Sequence, residues 1–304
     1  MAKNNINTFV SIGIPTLGRE AVLLDTIKMV LDQEYPHFEL IVANQTTNHK
    51  AGFLDQLQAI ARDDDRLRCF LVRPVSLPAA RNFIIEKAKG QLVLFIDDDV
   101  VLKPDFISRH VKAHIEHPEV TAVAGRIKQT GLPLSERPLY FDKYGLPQGT
   151  FNCPNSMASQ TFPGGNHSVK AEAIKSIGGY HTAYKYDAVR EESDTAHRLV
   201  KTGYQIYYSA EASLTHLSAP HGGSRVYKAQ FDNLRFYINE LLFMLRTVSP
   251  WLWPISIFKR LRIYSGGHGP TTRLKRVMIF SIGFIAATWN YLFARKDFAS
   301  TEIM

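Results

Sequence analysis

With 304 residues, 45% of them apolar and 21% charged, the chain has the make-up of a globular protein and room for one large domain or two ordinary ones. Its net charge of +8 suits nucleic acid, an anionic membrane surface or a phosphorylated substrate, and does not choose among them. Two cysteines without CxxC spacing, Cys69 and Cys153, exclude a disulfide framework and a cysteine zinc site; with the polar start MAKNNINTF, which lacks an apolar signal core, they point to reduced, cytosolic surroundings.

Residues 9–14 are a short apolar run ending at Pro15 and predict a strand. Residues 19–33 carry Val22, Leu23, Ile27, Val30 and Leu31 at helical spacing. A strand follows at 38–43, a helix at 53–61, a strand at 67–72, and a helix at 78–88 with Pro78 near its start, where a missing N–H costs little. Residues 92–96 are the fourth strand. Four strand–helix alternations predict an α/β fold, a mostly parallel sheet flanked by helices on both faces, with ligands bound beyond the carboxyl ends of the strands. Further strands are expected at 120–128, 205–208 and 212–217, and a helix at 191–202 that stops at Gly203. The loop-rich stretch 129–165 between them is long enough for an active-site flap or acceptor loop.

After about residue 220 the composition changes. Residues 226–246 predict a helix rich in Phe, Tyr and Leu, and 251–264 mix Trp, Pro and Ile with Lys259, Arg260 and Arg262. Residues 277–294 are uncharged, flanked by Arg273, Lys275, Arg276, Arg295 and Lys296, with Trp289 and Tyr291 near one end. The length is marginal for a span, for which about 20 residues are needed. Ser281, Thr288 and Asn290 also interrupt the stretch, so a buried helix and an interfacial or shallowly inserted segment compete, with the interfacial one preferred. The expected division is 1–223, catalytic, and 224–304, helical, basic-aromatic and membrane-associating.

LVLFIDDDVVLKPD, at 92–105, runs a buried strand into Asp97, Asp98 and Asp99. Adjacent carboxylates repel, more so near a low-dielectric core, so a cation should offset them: a Lys or Arg cluster, or a divalent metal. Helix capping is the plain alternative. Oxygen ligands in this pattern suit Mg2+ or Mn2+ bridging to a diphosphate. Arg81, in the first turns of the preceding helix, is either an ion-pair partner or a fork for phosphate or base. Glu191, Glu192 and Asp194 crowd a helix start, where the macrodipole favours negative charge, and one glutamate there can serve as a general base. His216, in SLTHLSAPHGG, is structural unless that metal takes it as a ligand.

Together these segments resemble the family-two glycosyltransferases, whose fold is glycosyltransferase-A. The first strand with Pro15, Thr16 and Arg19, IVANQT, PAARN ahead of LVLFIDDD, PGGNHSV, REESDTAHRLVKTGY and THL follow one another as in that family, over roughly residues 8–223. The resemblance implies an inverting transfer from a nucleoside-diphosphate sugar to a hydroxyl acceptor. Pro15, Thr16, Arg19, Asn44 and Arg81 would contact the nucleotide, with Asp97 and Asp98 beside them and Asp98 near the ribose. Asp99 and His216 would hold Mn2+ or Mg2+. Glu192 would be the general base and Glu191 its neighbour, and Gly164, Gly165 and Asn166 would belong to the sugar and acceptor region. Two positions depart from the family: Asn44 replaces an aspartate in the base-binding segment, and Glu191–Glu192 replaces Glu-Asp. A glycan or lipid-linked acceptor, a peripheral place at the inner face of the plasma membrane, and no nucleic-acid partner complete the expectation. The rivals are a haloacid-dehalogenase phosphatase using Asp-x-Asp-x-Val, a sugar nucleotidyltransferase, and a membrane-bound binding protein with a decayed site.

Overall fold

The computed structural model describes residues 7–185, 188–223, 233–265, 270–293 and 300–303. The chain begins with β1 (Val10–Thr16), α1 (Glu20–Leu31), β2 (Phe38–Asn44), α2 (Phe53–Asp63), β3 (Leu67–Arg73), α3 (Leu77–Lys87) and β4 (Leu92–Ile96). There follow β5 (Val100–Val101), α4 (Phe106–Glu116), β6 (Val120–Lys128), β7 (Tyr140–Phe141), β8 (Pro147–Gln148), β9 (Met157–Ser159) and β10 (Asn166–Lys170). The rest is α5 (Ala171–Ser176), α6 (Glu191–Lys201), β11 (Gln205–His216), α7 (Leu234–Thr247), α8 (Trp253–Ser265), α9 (Pro270–Phe293) and β12 (Ser300–Ile303).

The main sheet runs β12-β3-β2-β1-β4-β10-β6-β11-β5, with β9 joined to β11. β3, β2, β1 and β4 are parallel, as are β6 and β11, while β10 runs against both of its neighbours. β1, β2 and β4 are buried along their whole length, which is why they read as mostly apolar runs, broken by the buried Ser11 and Glu39, and not as alternating ones. Leu23, Ile27 and Phe106 cover one face of the sheet, and Phe83, Ile84, Ile174 and Leu199 the other. Helices therefore lie on both faces, as the alternation predicts. Pro78 sits in the first turn of α3, whose cap Ser76 accepts from the Ala79 amide at 3.4 Å.

Three elements differ from the sequence reading. The two short strands at 205–208 and 212–217 are one strand, β11, with its register against β6 shifted between Ser209 and Ser213. The 129–165 stretch contains the β7–β8 hairpin and β9. β10 has no apolar alternation, yet Asn166, His167 and Ser168 are fully buried in the middle of the sheet. They stay there because their polar atoms are satisfied: His110 bridges Ser168 (3.0 Å) and Asn166 (2.9 Å), Asn166 Nδ2 donates to the carbonyls of Arg126 and Ala212, and His167 meets the Pro163 carbonyl and the Tyr180 hydroxyl.

The C-terminal helices share a core with the α/β part. Phe236, Tyr237, Leu241 and Phe243 of α7 cluster with Ala183, Tyr184 and Ala188 and with Phe141 of β7. The expected boundary at 223/224 and the start of the helix expected from 226 fall at residues 224–232, outside the described ones; α7 begins at Leu234. α9 presses Phe280, Gly283 and Ala287 onto α7, and a Cβ at Gly283 would come within 2.8 Å of the Tyr237 Cβ.

Candidate active site

β4 ends at Ile96, so the three aspartates emerge at the carboxyl edge of the sheet. The two-residue strand β5 then pairs antiparallel with the end of β11, placing Val100 opposite His216. That pairing brings together residues more than a hundred positions apart. Asp99 is fully buried, and its backbone carbonyl accepts from the Leu217 amide at 2.9 Å while Oδ2 accepts from the Ala219 amide at 2.8 Å.

Much of the positive charge demanded by the acidic run comes from Arg19, at the start of α1. Its Nη1 lies 2.8 Å from Asp98 Oδ1 and 2.8 Å from Asp99 Oδ1. Asp98 also accepts from the Thr16 hydroxyl at 2.6 Å, and its carbonyl accepts from Thr26 at 2.9 Å. Burial pushes the Asp98 carboxyl up to about 6, against the opposing pull of Arg19 and Thr16. Asp99 is held below the ordinary carboxylate range: burial alone would raise it, but His216, Arg19 and the Ala219 amide outweigh burial. Arg19 Nε donates to the His221 carbonyl, and Gly222 sits on Gly18 with φ +75°, so the HGG loop closes over the β1–α1 turn.

Asp97, Asp99 and His216 each offer a ligand atom, all within 4.8 Å of one another. His216 Nε2 is 3.0 Å from Asp99 Oδ1 and 3.7 Å from Asp97 Oδ2. On the other side of the ring, Nδ1 meets Gln129 Oε1 at 2.7 Å. If Nδ1 donates to that oxygen when an ion is bound, Nε2 would be left to ligate it beside the two carboxylates. Two carboxylates and an imidazole are a donor set that fits Mn2+ or Mg2+. These residues therefore fit the ion that the acidic run suggested.

The glycines of PGGNHSV link the aspartates to the acidic pair. A Cβ on Gly165 would collide with the Asp97 carboxylate, and one on Gly164 would lie 2.8 Å from Arg81 Nη2. Only glycine allows so close an approach. Arg81 is buried, 5.4 Å from the Tyr180 ring centroid, and forms an ion pair with the equally buried Glu191. Glu192, next to it at the start of α6, is half-buried and accepts from the Ser193 hydroxyl at 3.1 Å. Of the two acids, Glu191 is thus neutralised by Arg81, and Glu192 is the accessible one. Ala188 (φ 49°) and Arg190 (φ 77°) put two non-glycine residues in the left-handed region just before the pair, at a cost of about 1–3 kcal/mol each.

The remaining expected site residues are distributed as follows. Pro15 and Thr16 lie at the end of β1, beside Ala43 and Asn44 of β2. Asn44 is buried; its Oδ1 accepts from the Thr46 amide at 2.9 Å and its Nδ2 lies 3.2 Å from His49. Asn166 is committed to the buried network of β10, so in this region the glycines and not the amide face the aspartates. Gln129, Thr26 and the Ala219 amide complete the site and were not anticipated. They carry no motif, since only the fold brings them to the aspartates and His216.

A mixed, mostly parallel sheet with acids and a histidine at its carboxyl edge and a helical C-terminal extension defines the glycosyltransferase-A class of proteins. Over 95% of this chain and 88% of the other, the fold superposes on the mannosyltransferase PcManGT of Pyrobaculum calidifontis, solved with GDP-Man and Mn2+, with a TM-score of 0.58 at 16% identity. The family model for glycosyl transferase family 2 matches residues 11–174, more than half of the chain, and the chain belongs to that family. The match is to transferases, and the phosphatase and nucleotidyltransferase rivals find no support in it. TuaG of Bacillus subtilis, named as a teichuronic acid biosynthesis glycosyltransferase, is 29% identical over 135 residues; the chain spans 43% of itself and about half (53%) of TuaG in that match. The glucosyl-dolichyl phosphate glucuronosyltransferase of Haloferax volcanii is 23% identical over 229 residues, 70% of this chain and 67% of the relative.

Proposed function

We propose that the chain is an inverting, divalent-metal-dependent glycosyltransferase that moves a sugar from a nucleoside-diphosphate donor to a hydroxyl of a glycan or lipid-linked precursor. The observation that carries this reading is one continuous set of contacts, in which Asp97 lies on Gly165, Gly164 on Arg81, and Arg81 is paired with Glu191 beside the accessible Glu192. It joins a metal-type triad to a candidate base. Asp97, Asp99 and His216 would hold Mn2+ or Mg2+, which when bound supplies Lewis-acid neutralisation of the leaving diphosphate. Thr16, Arg19 and Asp98 surround the donor's nucleotide end. The acceptor oxygen bonds to the anomeric carbon as the bond from that carbon to the diphosphate oxygen breaks, and Glu192 takes the acceptor's proton. Arg81 keeps the second carboxylate of the pair from repelling the first.

Glu192→Gln is expected to lower transfer by at least about 10²-fold, the usual scale of general-base loss. Calorimetry should still show donor binding in the presence of Mn2+. A variant that transfers sugar at the normal rate overturns the base assignment. The same titration across a panel of nucleoside diphosphates identifies the donor class, and a folded protein that takes up neither Mn2+ nor any sugar nucleotide overturns the whole reading.

A place at the inner face of the plasma membrane is supported by the C-terminal helices. Leu274, Met278, Ile282, Ile285, Trp289 and Leu292 are exposed along one side of α9, and Trp251, Ile255 and Phe258 are exposed on or just before α8. The spacing along α9 is three or four residues, so the side chains make one continuous apolar stripe. Exposed Arg262, Arg273 and Lys275 lie beside it, a pattern that suits an anionic bilayer surface. α9 is long and apolar enough to cross a membrane, but its other side is packed on α7, which favours lying in the interface over spanning it. The name of the Haloferax relative, a dolichyl phosphate enzyme, favours a lipid-linked acceptor for this chain.

A further inference from the structure

The segment that delivers Glu191 and Glu192 is not held by its own helix. The residue preceding α6, Arg190, makes no side-chain capping bond and has φ +77°, and Ala188 has φ +49°. Backbone in these regions persists only when its surroundings impose it. Beside the Arg81–Glu191 pair, the surroundings here are α7. Asn239, fully buried, accepts from the Lys185 amide at 3.2 Å and donates to the Lys185 carbonyl at 2.8 Å. Glu240, also fully buried, accepts from Arg190 Nε at 2.6 Å, and its other oxygen receives the Tyr264 hydroxyl at 3.1 Å and lies 3.3 Å from Arg260. Arg246 Nε donates at 2.6 Å to Asp194, which also accepts from Arg198 at 2.9 Å.

We propose that Asn239, Glu240 and Arg246 are positioning residues for the acidic pair, gripping the chain at 185, 190 and 194, on both sides of Glu191–Glu192. The inference rests on the reading of that pair as the site of the general base. Apolar side chains of similar volume would stabilise this interface at least as well as buried ion pairs do. What the pairs add is direction, because a bonded carboxylate–guanidinium contact fixes an orientation that apolar packing leaves free. α7 also packs against α9, the helix with the exposed apolar stripe.

The test uses the full chain with Mn2+ and donor. Arg246→Met and Glu240→Gln are expected to lower kcat by about 10- to 100-fold, the scale of a small misplacement of a reacting group. Donor affinity by calorimetry should stay within about twofold, since Thr16, Arg19 and Asp98, proposed for the nucleotide end, bond to one another and not to α7. Arg246→Lys should recover part of the rate. Asn239→Ala, which removes no charge, serves if the charged variants do not fold. A folded variant with wild-type kcat overturns the proposal, and so does a loss of rate matched by an equal loss of donor affinity. Retained transfer in Glu192→Gln would instead overturn the base reading, whatever the α7 variants do.

Discussion

Gln129 has no charge and belongs to no motif, yet its carbonyl oxygen decides which nitrogen of His216 can face Asp97 and Asp99. Removing it takes away the partner that orients Nδ1. Gln129→Leu is therefore expected to weaken Mn2+ binding by about 10- to 100-fold, the scale at which partners of metal-ligating histidines act. Mn2+ titration followed by electron paramagnetic resonance checks this without any transfer assay, and unchanged affinity would remove Gln129 from the site. At the same scale, Arg19 shows why three like charges at a strand end are tolerable. It lies 2.8 Å from carboxylates of two of them in a setting where little water screens the attraction.

The element on which the site turns is α6. Its acids face two ways: Glu191 to Arg81 in the α/β core, Asp194 to Arg246 in the helical layer. Burial alone would raise the pKa of Asp194 and of Glu240, but in each case two guanidiniums outweigh it, Arg246 and Arg198 for Asp194, Arg190 and Arg260 for Glu240, and hold both carboxyls below their ordinary values. A lowered folded-state pKa contributes stability that is fully present above the unfolded value, about 4, and is lost as pH falls through the folded one. Urea unfolding over a pH series should accordingly show stability falling below about pH 4. In Arg246→Met that acid limb should be shallower and stability at neutral pH lower. An identical limb in the variant would mean that Asp194 does not carry the linkage.

Over the whole molecule, the exposed stripe of α9 and the tip of α8 form an apolar face larger than scattered surface residues account for. Wild-type chain is expected to sediment with anionic lipid vesicles, less so at high salt as the basic residues are screened. Replacing Ile282, Ile285 and Trp289 together by Ser should weaken vesicle binding by on the order of 10³-fold. Each side chain brings about 1.5 kcal/mol or more of transferable apolar surface. The triple variant should keep its fold, because none of the three is buried against α7. Wild-type chain that stays in solution with such vesicles at low salt would contradict the membrane reading.

What the sequence by itself determined is the part governed by local periodicity and short-range order. β1 to β4 with their intervening helices are legible because short, mostly apolar runs alternate with helical stretches whose apolar residues repeat at three and four. The aspartates at the end of β4, the glycines at 164 and 165, the acids opening α6 and His216 stand out because unusual residues sit at element boundaries. What only the tertiary structure decided is how these are shared. β10 was unreadable because its buried Asn166 and Ser168 are satisfied by distant His110 and the Ala212 carbonyl, and His167 by the Pro163 carbonyl and the Tyr180 hydroxyl, so no apolar pattern marks it. The pairing of Glu191 with Arg81, the contact of His216 with Gln129 and the grip of α7 on the segment around Arg190 depend on partners tens to more than a hundred residues away. Hydrogen bonds and ion pairs act over a few ångströms of space, not of chain, and only folding sets those distances.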